Sequence, residues 1–222
     1  MQVTIGKKKD VSPDLNILEL AEKLYQEIVN DNSKGAISIL RHDPLLANHV
    51  YDLTEMGIER GTPLTLACFY GNYNIVRELL NKQYFIDVNF KSVDNLTPLS
   101  IVNVNIMNKG QPGYSIVKKL LDNGADINNM DNEGYTLFRF VCEVFVQDMI
   151  EYLLKHPNLD VNKKLRDGDG PIQAIVGAYF RLGYDVNVLH TIEKILKIKD
   201  LKINSRGEGG DTALHILANK DR

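Results

Sequence analysis

Three short markers recur in fixed order along the 222 residues, and that periodicity restricts the fold more than any other feature. The first is Thr62-Pro63-Leu64, repeated as Thr97-Pro98-Leu99. It returns in weaker form as Thr136-Leu137-Phe138, Gly170-Pro171-Ile172 and Thr212-Ala213-Leu214. Successive copies are 35, 39, 34 and 42 residues apart. The second is an apolar pair: Leu79-Leu80, Leu120-Leu121, Leu153-Leu154 and Ile195-Leu196. The third is Asp-Val-Asn or a close variant, at 87–89, 126–128, 160–162 and 202–204.

Each marker has a local physical meaning. A threonine hydroxyl caps a helix N-terminus, and proline fits the first helical position because its missing N–H would be unpaired there anyway. Ile75, Val76, Leu79 and Leu80 have the spacing of one helical face. Gly124, just past the second such helix, suits a left-handed terminator. The turn-rich "NMDNEGY" then leads to the next threonine. One unit therefore reads as helix, turn, helix and projecting loop. Two such helices cannot bury their apolar faces alone, so neighbouring units must stack to share a core.

Taken together, "NGADIN" at 123–128, "DNEGYT" at 131–136, "TPLTLACFYGNYNIVRELL" at 62–80 and "TALHILA" at 212–218 resemble the ankyrin repeat. The resemblance covers roughly 57–218 and implies an all-α fold, an ankyrin-repeat solenoid of stacked helix-turn-helix units with projecting hairpin loops. The expected organisation is a flexible N-terminal segment (1–13) and a single ankyrin-repeat domain (14–222). Within that domain we read a divergent capping repeat at 14–57, repeats starting near 58, 93, 131 and 166, and an incomplete last repeat at 207–222. The cap contains an amphipathic helix with Leu15, Leu18, Ala21, Leu24, Tyr25 and Ile28 near one side and Glu19, Glu22, Lys23 and Glu27 facing outward. A final helix with no partner would expose apolar surface, so the natural protein is expected to continue past Arg222. Two repeats carry about six and eight extra residues between their helices, in "NIMNKGQPGYS" and within "AYFRLGYDVNVLH".

Chemistry finds little support. Cys68 and Cys142 occupy the same slot two repeats apart, too far for a disulfide. The five histidines lack metal-ligand spacing. His215 matches the histidine that bonds locally to backbone in the resembled family. "GEGGDT" lacks the Gly-Lys-Ser/Thr ending of a phosphate loop, and "RDGDG" lacks the glutamate of a calcium loop. We expect no catalytic site, no metal and no cofactor. A net charge of −3 argues against nucleic acid and anionic membrane as principal partners, and no run is long enough to span a bilayer.

The resemblance implies a protein partner, held by a monomeric chain on the concave face of the array. Family geometry places there Ile58, Glu59, Phe69 and Tyr70; Val93, Asp94 and Leu96; Asn132, Glu133, Tyr135 and Glu143; and Arg166, Asp167 and Asp169. Phe69 and Tyr70 have no core duty in the family pattern, and exposed aromatics suit an interface. The face is apolar toward its N-terminal side and acidic further on, which suits a partner with a hydrophobic patch beside a basic one. The alternative expectation is a targeting or substrate-recognition arm of a longer enzyme or effector, with catalysis beyond residue 222. The expected location is cytoplasmic, or the host cytosol for a secreted effector.

Overall fold

The computed structural model describes residues 13–102, 107, 110–164 and 168–219. Residues 1–12 of the expected N-terminal segment lie outside them, as does the side chain of Leu15. First helices of successive layers are α1 (Pro13–Val29), α3 (Pro63–Tyr70), α5 (Pro98–Ile101), α7 (Leu137–Val144), α9 (Pro171–Arg181) and α11 (Ala213–Asn219). Second helices are α2 (Ser33–His42), α4 (Tyr73–Leu79), α6 (Pro112–Asp122), α8 (Gln147–Leu153) and α10 (Val186–Leu196). Each of the first five layers packs its two helices together. Between layers, α1 lies on α3, α3 on α5, α7 on α9 and α9 on α11, while α2 lies on α4, α4 on α6 and α8 on α10.

The capping logic holds at atomic level. Thr62 Oγ1 accepts from Thr65 N, and Thr97 Oγ1 from Ser100 N, with Pro63 and Pro98 at the first helical turn. Gly71 and Gly124 take the left-handed conformation past their helices, with φ of 75° and 88°. The first member of each apolar pair supplies the core: Leu79, Leu120, Leu153 and Ile195 are all 0% exposed. Each such side chain contributes roughly 2 kcal/mol by leaving water, and their recurrence gives one continuous interior.

The third marker turns out to be a rung between layers. Asn89 donates from Nδ2 to Gly124 O (3.0 Å) and accepts at Oδ1 from Asp126 N (2.8 Å). Asn128 does the same to Asn158 O and Asp160 N, and Asn162 to Asp200 O and Lys202 N. The preceding aspartates fold each turn locally, as Asp126 Oδ1 accepts from Asn128 N at 2.9 Å.

Three expectations change. In the cap, Ala21, Leu24 and Ile28 are buried, but Leu18 is exposed, one turn beyond the reach of the packed face. The fold is not wholly helical: β1 (Tyr51–Leu53) and β2 (Ile58–Gly61) form an antiparallel hairpin with an irregular register. Its left-handed residue, Gly57, stands five places before Thr62, whereas Asn95, Gly134 and Gly210 each stand two places before theirs. The loop tip therefore falls earlier, and Ile58 lies in a strand facing inward. The insertion before α10 forms no long loop. Both helices of that layer lengthen to 11 residues, against 8 and 7 in α7 and α8, and a short turn with Gly183 and Tyr184 at positive φ joins them. In the other insertion, residues 105, 106, 108 and 109 lie outside the described residues, and α6 begins at Pro112.

Candidate functional site

The expected face divides into parts. Ile58 is 4% exposed and belongs to the core, so it makes no surface. Glu59 is exposed on β2. Phe69 is half-buried against the core and meets Tyr70 edge-on at 5.2 Å, which corrects the reading that it has no packing duty. Arg166 and Asp167 lie outside the described residues. Asp169 offers its backbone carbonyl to Arg139.

The remaining residues converge between α5 and α7. Leu96, Tyr135 and Glu143 line one cleft of about 330 Å³, with Phe140 and Val144. Asp94, Leu96, Asn132 and Glu133 line an adjoining hollow, with Asp131 common to both. Val93, 53% exposed, stands at the loop tip.

These loops are stiff because they are laced together. Asp131 Oδ1 accepts from Glu133 N (3.0 Å) and Tyr135 N (2.8 Å), and Gly134 at φ 90° lets the chain turn back. Ser92 and Asn95 reproduce that turn one layer earlier, Ser92 Oγ accepting from Asp94 N and Leu96 N. Across the gap, Asn132 N donates to Asp94 O at 3.0 Å, and Asn95 Nδ2 donates to Asn132 Oδ1 at 3.0 Å. A preorganised rim costs little entropy on binding.

One residue escaped the sequence reading. Three places after each capping residue stand Thr65, Ser100, Arg139, Gln173 and His215. Four of them accept from the cap's own backbone: Thr65 from Thr62 N, Ser100 from Thr97 N, Gln173 from Gly170 N, and His215 Nδ1 from Thr212 N. Arg139 has no acceptor, so Thr136 N–H lacks that partner. Its guanidinium, in a residue 6% exposed overall, instead donates to Asp169 O at 3.1 Å and to Glu143 Oε2, and lies 4.3 Å from the Tyr135 ring centre. Arg181 donates to the Glu143 carbonyl. The available signal was an arginine where every other copy carries an acceptor.

Burial raises the thiol pKa of Cys68 and Cys142, which keeps both protonated and unreactive. No helix among the described residues is long and apolar enough to cross a membrane.

The ankyrin repeat profile matches residues 61–93, from the end of β2 through the turn after α4. The chain contains ankyrin-repeat sequence. Its ankyrin region is similar to the ankyrin repeat and KH domain-containing protein mask of Drosophila melanogaster, at 32% identity over 121 residues. That alignment takes in 53% of this chain but only 3% of the relative. Ankyrin repeats are in general protein-interaction modules without catalytic groups of their own.

Proposed function

We propose that the layers form one ankyrin solenoid whose concave face binds a partner protein, with the cleft between α5 and α7 at its centre. The observation that carries this reading is the convergence of Leu96, Tyr135, Glu143 and Val144 from two layers onto one rigid, partly apolar cleft. Apolar floors with a few fixed polar groups are where binding energy concentrates. The Phe69–Tyr70 pair extends the same face toward the N-terminal layers. The partner meets the chain in the cytoplasm.

The test uses immobilised wild-type chain and Val93→Asp/Val144→Asp, whose sites are 53% and 40% exposed and so tolerate a charge without unfolding. Proteins captured from lysate are purified and their affinity measured by titration against both forms. A partner that binds wild type and loses at least about tenfold with the variant, while circular dichroism stays native, supports the concave face. Purified partners that bind both forms equally overturn it.

A further inference from the structure

Resting on that reading, we propose that the cleft takes an extended basic segment: an aliphatic side chain on its floor, a main-chain carbonyl at Thr136 N–H, and lysine or arginine against the rim. Three independent observations converge. The floor is apolar, formed by Leu96, Leu137, Phe140 and Val144. The rim is acidic, with Asp94, Asp131 and Glu133 on the loops and Glu143 on the helix. Among the described residues no lysine or arginine forms an ion pair with the three loop carboxylates. The nearby cations are already held, Arg139 beneath Tyr135 by Glu143 and the Asp169 carbonyl, and Arg181 by the Glu143 carbonyl.

The third observation selects the conformation of the ligand. Thr136 lines the cleft, and among the described residues it is the one first-helix cap whose third following residue brings no acceptor to its N–H. Along a bound helix all main-chain carbonyls but those of the last turn are occupied internally, so its body cannot satisfy this donor. An extended segment has free carbonyls, and alternation of its side chains sends one residue to the floor and its neighbours to the walls. Carboxylates around the mouth repel phosphate, which disfavours nucleic acid as the occupant.

The experiment titrates the 15N-labelled full chain with the acetylated, amidated peptide Gly-Lys-Leu-Lys-Gly to millimolar concentration. The Thr136 amide and the Val144 signals shift together, saturably, and weaken with added salt. Replacing the peptide's leucine by serine, or both lysines by glutamate, removes the effect. Asp94→Asn/Glu133→Gln weakens the peptide by about tenfold through lost charge complementarity, without loss of fold. Absence of shifts at Thr136, or equal binding of the glutamate peptide, overturns the proposal. A purified partner that depends on Val93 and Val144 but leaves the Thr136 amide unmoved overturns it too, and leaves the interaction reading intact.

Discussion

Behind the second helices the molecule repeats itself, while at the caps of the first helices it does not. The rear edge carries the same asparagine three times, at 89, 128 and 162, each reaching two backbone groups of the next layer. At the front, the equivalent places hold threonine, serine, arginine, glutamine and histidine. The difference follows from the partner. A backbone carbonyl and N–H two residues apart present the same geometry in every layer, so one side chain serves throughout. The cap slot asks only for an acceptor, and several residue types supply it. Where even that requirement is dropped, at Arg139, the slot lies beside the cleft.

The comparison is broken most severely at Arg139. Arg139→Ala removes two hydrogen bonds made by a buried guanidinium, one to a Glu143 carboxylate that keeps contact with water, and is expected to cost roughly 2 kcal/mol in urea unfolding. Arg139→Gln, which copies the next layer, regains an acceptor for Thr136 N–H and recovers about 1 kcal/mol of that loss. If both variants are as stable as wild type, the buried guanidinium has no structural role. At the rear edge, Asn128→Ala removes two hydrogen bonds and should cost about 1–2 kcal/mol. Asn204→Ala, in the exposed last copy of the same marker, should stay within about 0.5 kcal/mol. Equal effects at the two positions would show that the asparagines act within their own turns rather than between layers.

The smallest effect concerns another inter-layer contact, between Arg41 on α2 and Glu78 on α4. Arg41 Nε donates to Glu78 Oε1 at 3.1 Å, and Tyr84 donates its hydroxyl to the same carboxylate. These bonds hold the Glu78 pKa below its ordinary 4.5. A depressed carboxylate stabilises the folded chain fully above the unfolded pKa, and the contribution disappears as pH falls through the folded one. Thermal melts of Glu78→Gln should therefore lie slightly below wild type at pH 7 and converge with it in acid below 4.5. A gap that persists in acid would assign the difference to packing.

Much of this was readable beforehand. Thr62, Pro63, Leu79 and Asn89 each satisfy a need internal to their own unit or common to all units, and such needs leave periodic traces. The cleft was only half legible. Tyr135 and Glu143 line the cleft, at the standard distance from Thr136. Ile58 failed because its loop is longer, so counting back from Thr62 landed in a strand. The insertion before α10 was legible only as extra length between two helices, because a residue count does not reveal whether extra residues loop out or extend a helix. Ala178 at 0% exposed and Val188 at 0% show that packing took them in.

By itself the sequence determined the unit, its caps and its core positions, since all of these recur and periodicity is visible in one dimension; that the recurring asparagine ties one layer to the next came from the structure. Only the tertiary structure decided which loop residues meet. It brought Leu96 beside Tyr135 and Val144, turned Ile58 inward and set Arg139 against a carbonyl 30 residues away. Those outcomes depend on the distance and register between neighbouring layers, which no single repeat encodes.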